Sequence, residues 1–122
     1  MANLKVSTIY AIRSKTTGKV YIGRSQDPSQ RMLQHFRALR SGSDYACGSD
    51  DFREDFARYG AIDFELFILE EGVTPDKFRE REAFWINEYL ATDRRFGYNK
   101  DPMETEFVVS VTPGLPPKPT GT

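Results

Sequence analysis

Cysteine is nearly missing from this sequence: Cys47 stands alone, so no internal disulfide can form and no cysteine-based zinc cluster can assemble. Histidine is equally scarce, and with His35 as the only copy one imidazole at most can take part in proton transfer. No stretch approaches the roughly 20 apolar residues that cross a bilayer. The N-terminus lacks a charged region followed by an apolar run and a small-residue cleavage site. A soluble protein is expected, with no membrane partner, and the single cysteine accords with a reducing, cytoplasmic compartment. Net charge is also small, at −1, which gives little overall pull on a polyanion.

The charges that are present are unevenly spread. Residues 1–40 carry eight Lys/Arg and one Asp, or +7, which leaves nine Lys/Arg and seventeen Asp/Glu, or −8, for the remainder. Attraction to phosphate depends on the local field rather than the total, so a basic end is compatible with DNA binding. A mixed, merely solvated surface accounts for the same counts. The length of 122 residues and the 39% hydrophobic content suit one compact domain with a modest core.

Residues 6–13, Val-Ser-Thr-Ile-Tyr-Ala-Ile-Arg, and 19–23, Lys-Val-Tyr-Ile-Gly, are β-rich and flank a turn-like stretch from Ser14 to Gly18, which predicts a β-hairpin. A four-residue loop, Ser14 to Thr17, pairs Arg13 with Gly18, Ala11 with Val20 and Tyr10 with Tyr21. One face then carries Ile9, Ala11, Val20 and Ile22, a core face. The other carries Thr8, Tyr10, Ile12, Lys19, Tyr21 and Gly23, mixed and aromatic.

A helix is expected next, with Asp27 as N-cap, Pro28 in the first position, Gln30 completing a capping-box-like pattern and Gly42 ending it. Its apolar side is Met32, Leu33, Phe36 and Leu39. A second helix is expected from about Asp50 to Tyr59, capped by Ser49, stopped by Gly60 and burying Phe52 and Phe56. Residues 62–69 read as a third, central strand, and Thr74-Pro75 opens a last helix to about Leu90. Gly97-Tyr98-Asn99 closes the compact part. Beyond Asp101 the composition shifts: Phe107 to Val111 can extend as a strand, and four prolines and two glycines in 113–121 predict a disordered linker.

Glu82 is the most informative anomaly. Phe78, Glu82, Trp85 and Tyr89 share the spacing of one buried helical face, so a carboxylate interrupts an aromatic stripe. A buried carboxylate needs a partner cation, hydrogen bonds or a metal. The plainer alternative is a boundary residue that reaches solvent or pairs with Arg79 or Arg81. Tyr10 and Tyr21 form the kind of aromatic pair many sheets contain, yet a phenol can also position or deprotonate water. Arg31 and His35, four apart, lie on one helix face, where Arg31 offers a fork for a phosphate.

Together these residues resemble the GIY-YIG nuclease family. The first family tripeptide appears as Thr8-Ile9-Tyr10 and the second as Tyr21-Ile22-Gly23, with ten residues between the tyrosines. Arg31 and His35 follow at the family's spacing. Glu82 lies within Arg81-Glu82-Ala83-Phe84-Trp85-Ile86, and Asn99 within Gly97-Tyr98-Asn99. Within the family the sequence is similar to the catalytic domains of phage-type homing endonucleases.

The resemblance implies a small α/β domain over residues 1–101, a three-stranded antiparallel sheet flanked by helices, followed by an extension over 102–122. It also implies a metal-dependent DNA endonuclease acting in the cytoplasm of a bacterial or phage-infected cell. Tyr10, Tyr21, Arg31, His35 and Glu82 would be catalytic, with Glu82 holding one Mg2+ or Mn2+ ion. Lys19, Gly23, Arg24 and Asn99 would bind substrate or support the site. Tyr10 is assigned as general base, with Tyr21 as its hydrogen-bonding partner; Arg31 neutralises phosphate charge and His35 orients a tyrosine or relays a proton. Two departures stand out. Thr8 replaces the usual glycine, and Asp44 lies where some homing-type members carry a histidine. A catalytically silent DNA-binding module on the same fold is the alternative function. Oligomeric state is left open, a monomer included.

Overall fold

The computed structural model describes residues 5–42 and 48–100. Asp44, Cys47, the strand expected at 107–111 and the linker expected at 113–121 lie outside the described residues. Strands β1 (Ser7–Ser14) and β2 (Val20–Ser25) form the hairpin, followed by helices α1 (Pro28–Ser41) and α2 (Asp50–Tyr59), strand β3 (Phe64–Val73) and helix α3 (Phe78–Glu88). The sheet is antiparallel with order β2-β1-β3. The three-stranded α/β architecture matches the one expected. The central strand does not: β1 is central and β3 lies at an edge. Burial explains why, since β1 is covered on both faces, whereas Phe67 and Ile68 of β3 stay substantially exposed despite their apolar character.

The hairpin register differs from the expected one by two residues. Arg13 lies opposite Val20, Ala11 opposite Ile22, Ile12 opposite Tyr21 and Tyr10 opposite Gly23. Gly18 adopts φ +80° and donates its N–H to Ser14 O at 2.8 Å, which draws it into the loop and moves the first strand pair to Ser14 and Lys19. The Ser14 hydroxyl reinforces this loop, accepting from the Thr17 N–H at 3.0 Å and donating to Asp63 at 2.6 Å. A shift of two preserves side-chain parity, so both predicted face sets survive.

Each face has its own cover. Ile9, Ala11, Val20 and Ile22 pack with Val73, Ala91 and the α3 side chains Phe78, Trp85 and Ile86. On the opposite face Tyr10 and Ile12 pack with Phe36 and Leu39 of α1, Phe52 and Phe56 of α2, Phe64 and Tyr98. Burying each such phenylalanine contributes on the order of 2 kcal/mol.

Helix α1 starts as the sequence dictates, with Asp27 accepting from the Gln30 N–H at 3.2 Å and Pro28 at the first helical position. Leu33 departs from its expected place and is exposed, because the buried arc runs through His35, Phe36 and Leu39. Ser49 precedes α2 without a side-chain cap; its backbone N–H donates instead to Tyr98 O at 2.6 Å. The last helix is shorter than expected: Pro75–Lys77 form a 3-10 turn, and α3 runs only from Phe78 to Glu88. Tyr89 therefore lies past the helix end, stacked on Trp85 and partly exposed.

Candidate active site

Tyr10 and Tyr21 project from the hairpin toward α1 and α2. Their rings are 6.5 Å apart, centroid to centroid, and offset along the strands because the register places Gly23 directly opposite Tyr10. That glycine is required there: a Cβ at position 23 would fall 2.5 Å from Tyr10 Cζ and closer still to the hydroxyl. The Tyr10 hydroxyl lies 3.0 Å from His35 Nε2, and the His35 ring meets Tyr21 edge-on at 4.9 Å. Phe52 stacks on Tyr21 at 5.5 Å and lies 6.4 Å from the His35 ring. Tyr10 and His35 are buried, while Tyr21 is half-buried.

Arg31 sits one helical turn before His35, with Nη1 donating to Gln34 Oε1 at 2.9 Å. Burial, seconded by the Arg31 charge, pushes the His35 pKa from 6.5 down to about 4. The imidazole is therefore neutral at physiological pH and free to exchange a proton with Tyr10.

Glu82 lies on the other side of the sheet. It occupies the middle of the α3 stripe that packs through Phe78, Trp85 and Ile86, as its spacing required. Burial raises its pKa and the neighbouring Arg24 opposes that rise. The partner is Arg24, at 3.6 Å, rather than Arg79 or Arg81; Arg81 instead donates to Glu70 at 2.9 Å. Strand parity carries the signal that was missed, since Val20, Ile22 and Arg24 all point toward α3.

The structure thus gathers Tyr10, Tyr21 and His35, with Arg31 a turn away, on one face, and Arg24 with Glu82 on the other. Consecutive residues Gly23 and Arg24 at the end of edge strand β2 join the two groups. Asn99 fixes this strand: its Oδ1 accepts the Ile22 N–H at 2.8 Å and its Nδ2 donates to Ile22 O at 3.0 Å. Lys19 is not part of the cluster. It lies before the start of β2, paired with Asp51 at 3.7 Å and 5.7 Å from the centre of the Tyr98 ring. Gln34 and Phe52, as supports for Arg31 and Tyr21, were not identified from sequence; their roles depend on which turns of α1 and α2 face the hairpin.

Residues 6–99 match the model of the GIY-YIG catalytic domain. The chain belongs to that family. It is 34% identical over 113 residues to the intron-associated endonuclease 1 of Enterobacteria phage T4, a match that covers 84% of this chain and 44% of the phage protein. The chain thus spans less than half the length of that relative. Among solved structures it is similar to the catalytic domain of homing endonuclease I-TevI, with TM-score 0.66 and 34% identity over 78% of this chain and 98% of that one. A mutant form of the same I-TevI domain, with a glutamate replaced by alanine, also gives TM-score 0.66, at 35% identity over 77% of this chain and 92% of that one. Among the described residues no helix is long and apolar enough to cross a membrane.

Among the described residues no three or more His, Cys, Asp or Glu side chains are grouped to hold a metal ion, so a metal here would take fewer than three such ligands from them. Glu82 fits the part of a metal-holding carboxylate: it is half-buried, and its ion pair with Arg24 is long, at 3.6 Å. A Mg2+-type ion tolerates such a site, because it ordinarily keeps several waters and takes phosphate oxygens as further ligands.

Proposed function

We propose that this domain is a DNA endonuclease that hydrolyses phosphodiester bonds with one divalent ion, Mg2+ or Mn2+, held at Glu82, and that each active site nicks one strand. The observation that carries the reading is the 3.0 Å contact between the Tyr10 hydroxyl and neutral His35. It supplies a phenol with a proton acceptor behind it, beside a rim strand whose other face packs against the helix that carries Glu82. With the His35 proton on Nδ1, Nε2 receives the Tyr10 proton as the Tyr10 oxygen takes one from the attacking water. The water oxygen forms the new bond to phosphorus, the bond to the leaving sugar oxygen breaks, and solvent protonates that oxygen. Arg31 balances the added charge on the phosphate. The ion, when bound, polarises the phosphate and stabilises the leaving oxygen.

A second assignment of the base has its own support. Tyr10 is almost closed to solvent, whereas Tyr21 is half-buried and more accessible to a water. Single-turnover cleavage by Tyr10→Phe and Tyr21→Phe decides between them. The Tyr10 assignment requires the larger loss in Tyr10→Phe at saturating metal, and a larger loss in Tyr21→Phe transfers the role. If the wild-type chain binds several plasmids yet leaves all of them intact with Mg2+ and with Mn2+, the domain is a silent DNA-binding module.

DNA as the partner is part of the same proposal. A single site allows one nick at a time, so cutting both strands takes two successive events or a second copy.

A further inference from the structure

We infer that Arg24 is a built-in counter-ion for the metal site: in the metal-free domain its guanidinium takes the cation's place at Glu82, and an arriving divalent ion must displace it. The inference rests on the reading of Glu82 as metal anchor and adds a residue that regulates loading.

Two contacts carry it. Arg24 Nε lies 3.6 Å from Glu82 Oε1, with the two side chains 37% and 30% exposed. The Arg24 guanidinium carbon also lies 4.0 Å from the centre of the Phe78 ring. Phe78 and Glu82 are one turn apart on α3, so a single helix presents an aromatic face and a carboxylate to the same guanidinium. An ionised carboxylate in this half-buried position is costly without a cation, and Arg24 supplies one before any metal arrives.

The exchange favours the metal once it is present. A divalent ion carries twice the charge and approaches a carboxylate oxygen to about 2 Å, closer than the guanidinium does. The stacking on Phe78 does not depend on Glu82, so a displaced Arg24 stays at the end of β2. Its freed hydrogen-bond donors then face the rim where a DNA phosphate would lie. Metal entry and phosphate capture are in this way coupled through one side chain: metal releases Arg24 for phosphate, and a phosphate that draws Arg24 away vacates the carboxylate.

Mn2+ binding to the full chain without DNA, followed by the electron paramagnetic resonance signal of free Mn2+, tests the inference. Arg24→Met keeps packing on Phe78 while removing the charge, and Glu82→Gln removes the anchor. The expected result is about fivefold tighter Mn2+ binding in Arg24→Met, the upper range for a partly exposed ion pair, and loss of binding in Glu82→Gln. Unchanged or weaker binding in Arg24→Met, with binding lost in Glu82→Gln, overturns the role of Arg24 and leaves the anchor standing. Wild-type binding in Glu82→Gln removes the anchor and the inference with it.

Duplex affinity in EDTA gives a second, independent readout. Glu82→Gln frees Arg24 for phosphate, so it is expected to tighten DNA binding in the wild-type background and to have little effect in the Arg24→Met background. Equal gains in both backgrounds overturn the coupling.

Discussion

The Tyr10 hydroxyl and His35 Nε2 lie 3.0 Å apart in a pocket closed by α1 and the sheet, and the charge of Arg31 stands beside the imidazole. A buried ring next to a cation resists protonation, which keeps the imidazole neutral, with one nitrogen able to accept a hydrogen bond, at neutral pH and makes it a liability in acid. Above pH 6.5 the ring is neutral in folded and unfolded chains alike, so its contribution to stability is complete. Between pH 6.5 and about 4 the unfolded chain binds a proton that the fold refuses. Stability is therefore expected to fall by about 3 kcal/mol across that interval on account of this one group. His35→Gln removes that component, and urea unfolding at a series of pH values should show a flatter profile. An acid limb as steep as that of the wild type contradicts the assignment.

Gly23 and Tyr10 make a second, steric prediction. A methyl group at position 23 would collide with the Tyr10 hydroxyl and Cζ. Gly23→Ala should therefore cost about 1–3 kcal/mol of stability, as overpacking commonly does, and should impair cleavage by moving the phenol from His35. Thermal denaturation and nicking rate measured together check this. An alanine variant of wild-type stability and activity would show that Tyr10 adapts freely.

Glu82 is held where burial disfavours its charge, and its pKa lies above the ordinary 4.5. Ionisation therefore weakens the fold at neutral pH, and the penalty disappears as pH falls through the raised pKa. Glu82→Gln is expected to melt at or above the wild-type temperature at pH 7, with the difference narrowing toward pH 4. Arg24, left without its partner, is exposed enough to hydrate. A marked fall in melting temperature at pH 7 would make Glu82 a stabilising residue instead.

The parts legible in the sequence were those set by local chemistry or by strand and helix periodicity. Asp27, Pro28 and Gln30 fixed the start of α1 through adjacent backbone groups, and the aromatic spacing around Glu82 exposed a carboxylate out of place. The hairpin register depended on the conformation of one residue, Gly18, while β3 looked central because its apolar residues outnumber those the fold buries. Ile62, adjacent to that strand, is 84% exposed. The partner of Glu82 required the side-chain parity of β2 to be matched with the packing of α3, a relation between distant segments that spacing along the chain does not contain.

Arg13, Lys15, Arg24, Arg37 and Arg40 are exposed, whereas Lys19 is held by Asp51. If three or four of the cations in the basic N-terminal part engage phosphates together, the log–log salt slope for duplex binding is expected to be about −3 to −4. Arg24→Ala and Arg37→Ala should each reduce the steepness by about 0.9 by the same rule. Titrations in Ca2+ over a salt series, under conditions where that ion does not support cleavage, provide the measurement. A nearly flat dependence, or slopes unchanged in both variants, contradicts a basic DNA-binding face.

Conversion of supercoiled plasmid to open circle by the purified chain tests the central claim most directly, with wild type and Glu82→Gln compared in Mg2+, in Mn2+ and in EDTA. The account predicts nicking by the wild type with either ion, none in EDTA, and none by Glu82→Gln although that variant remains folded. Nicking in EDTA at the rate seen with metal, or undiminished nicking by folded Glu82→Gln, would contradict it.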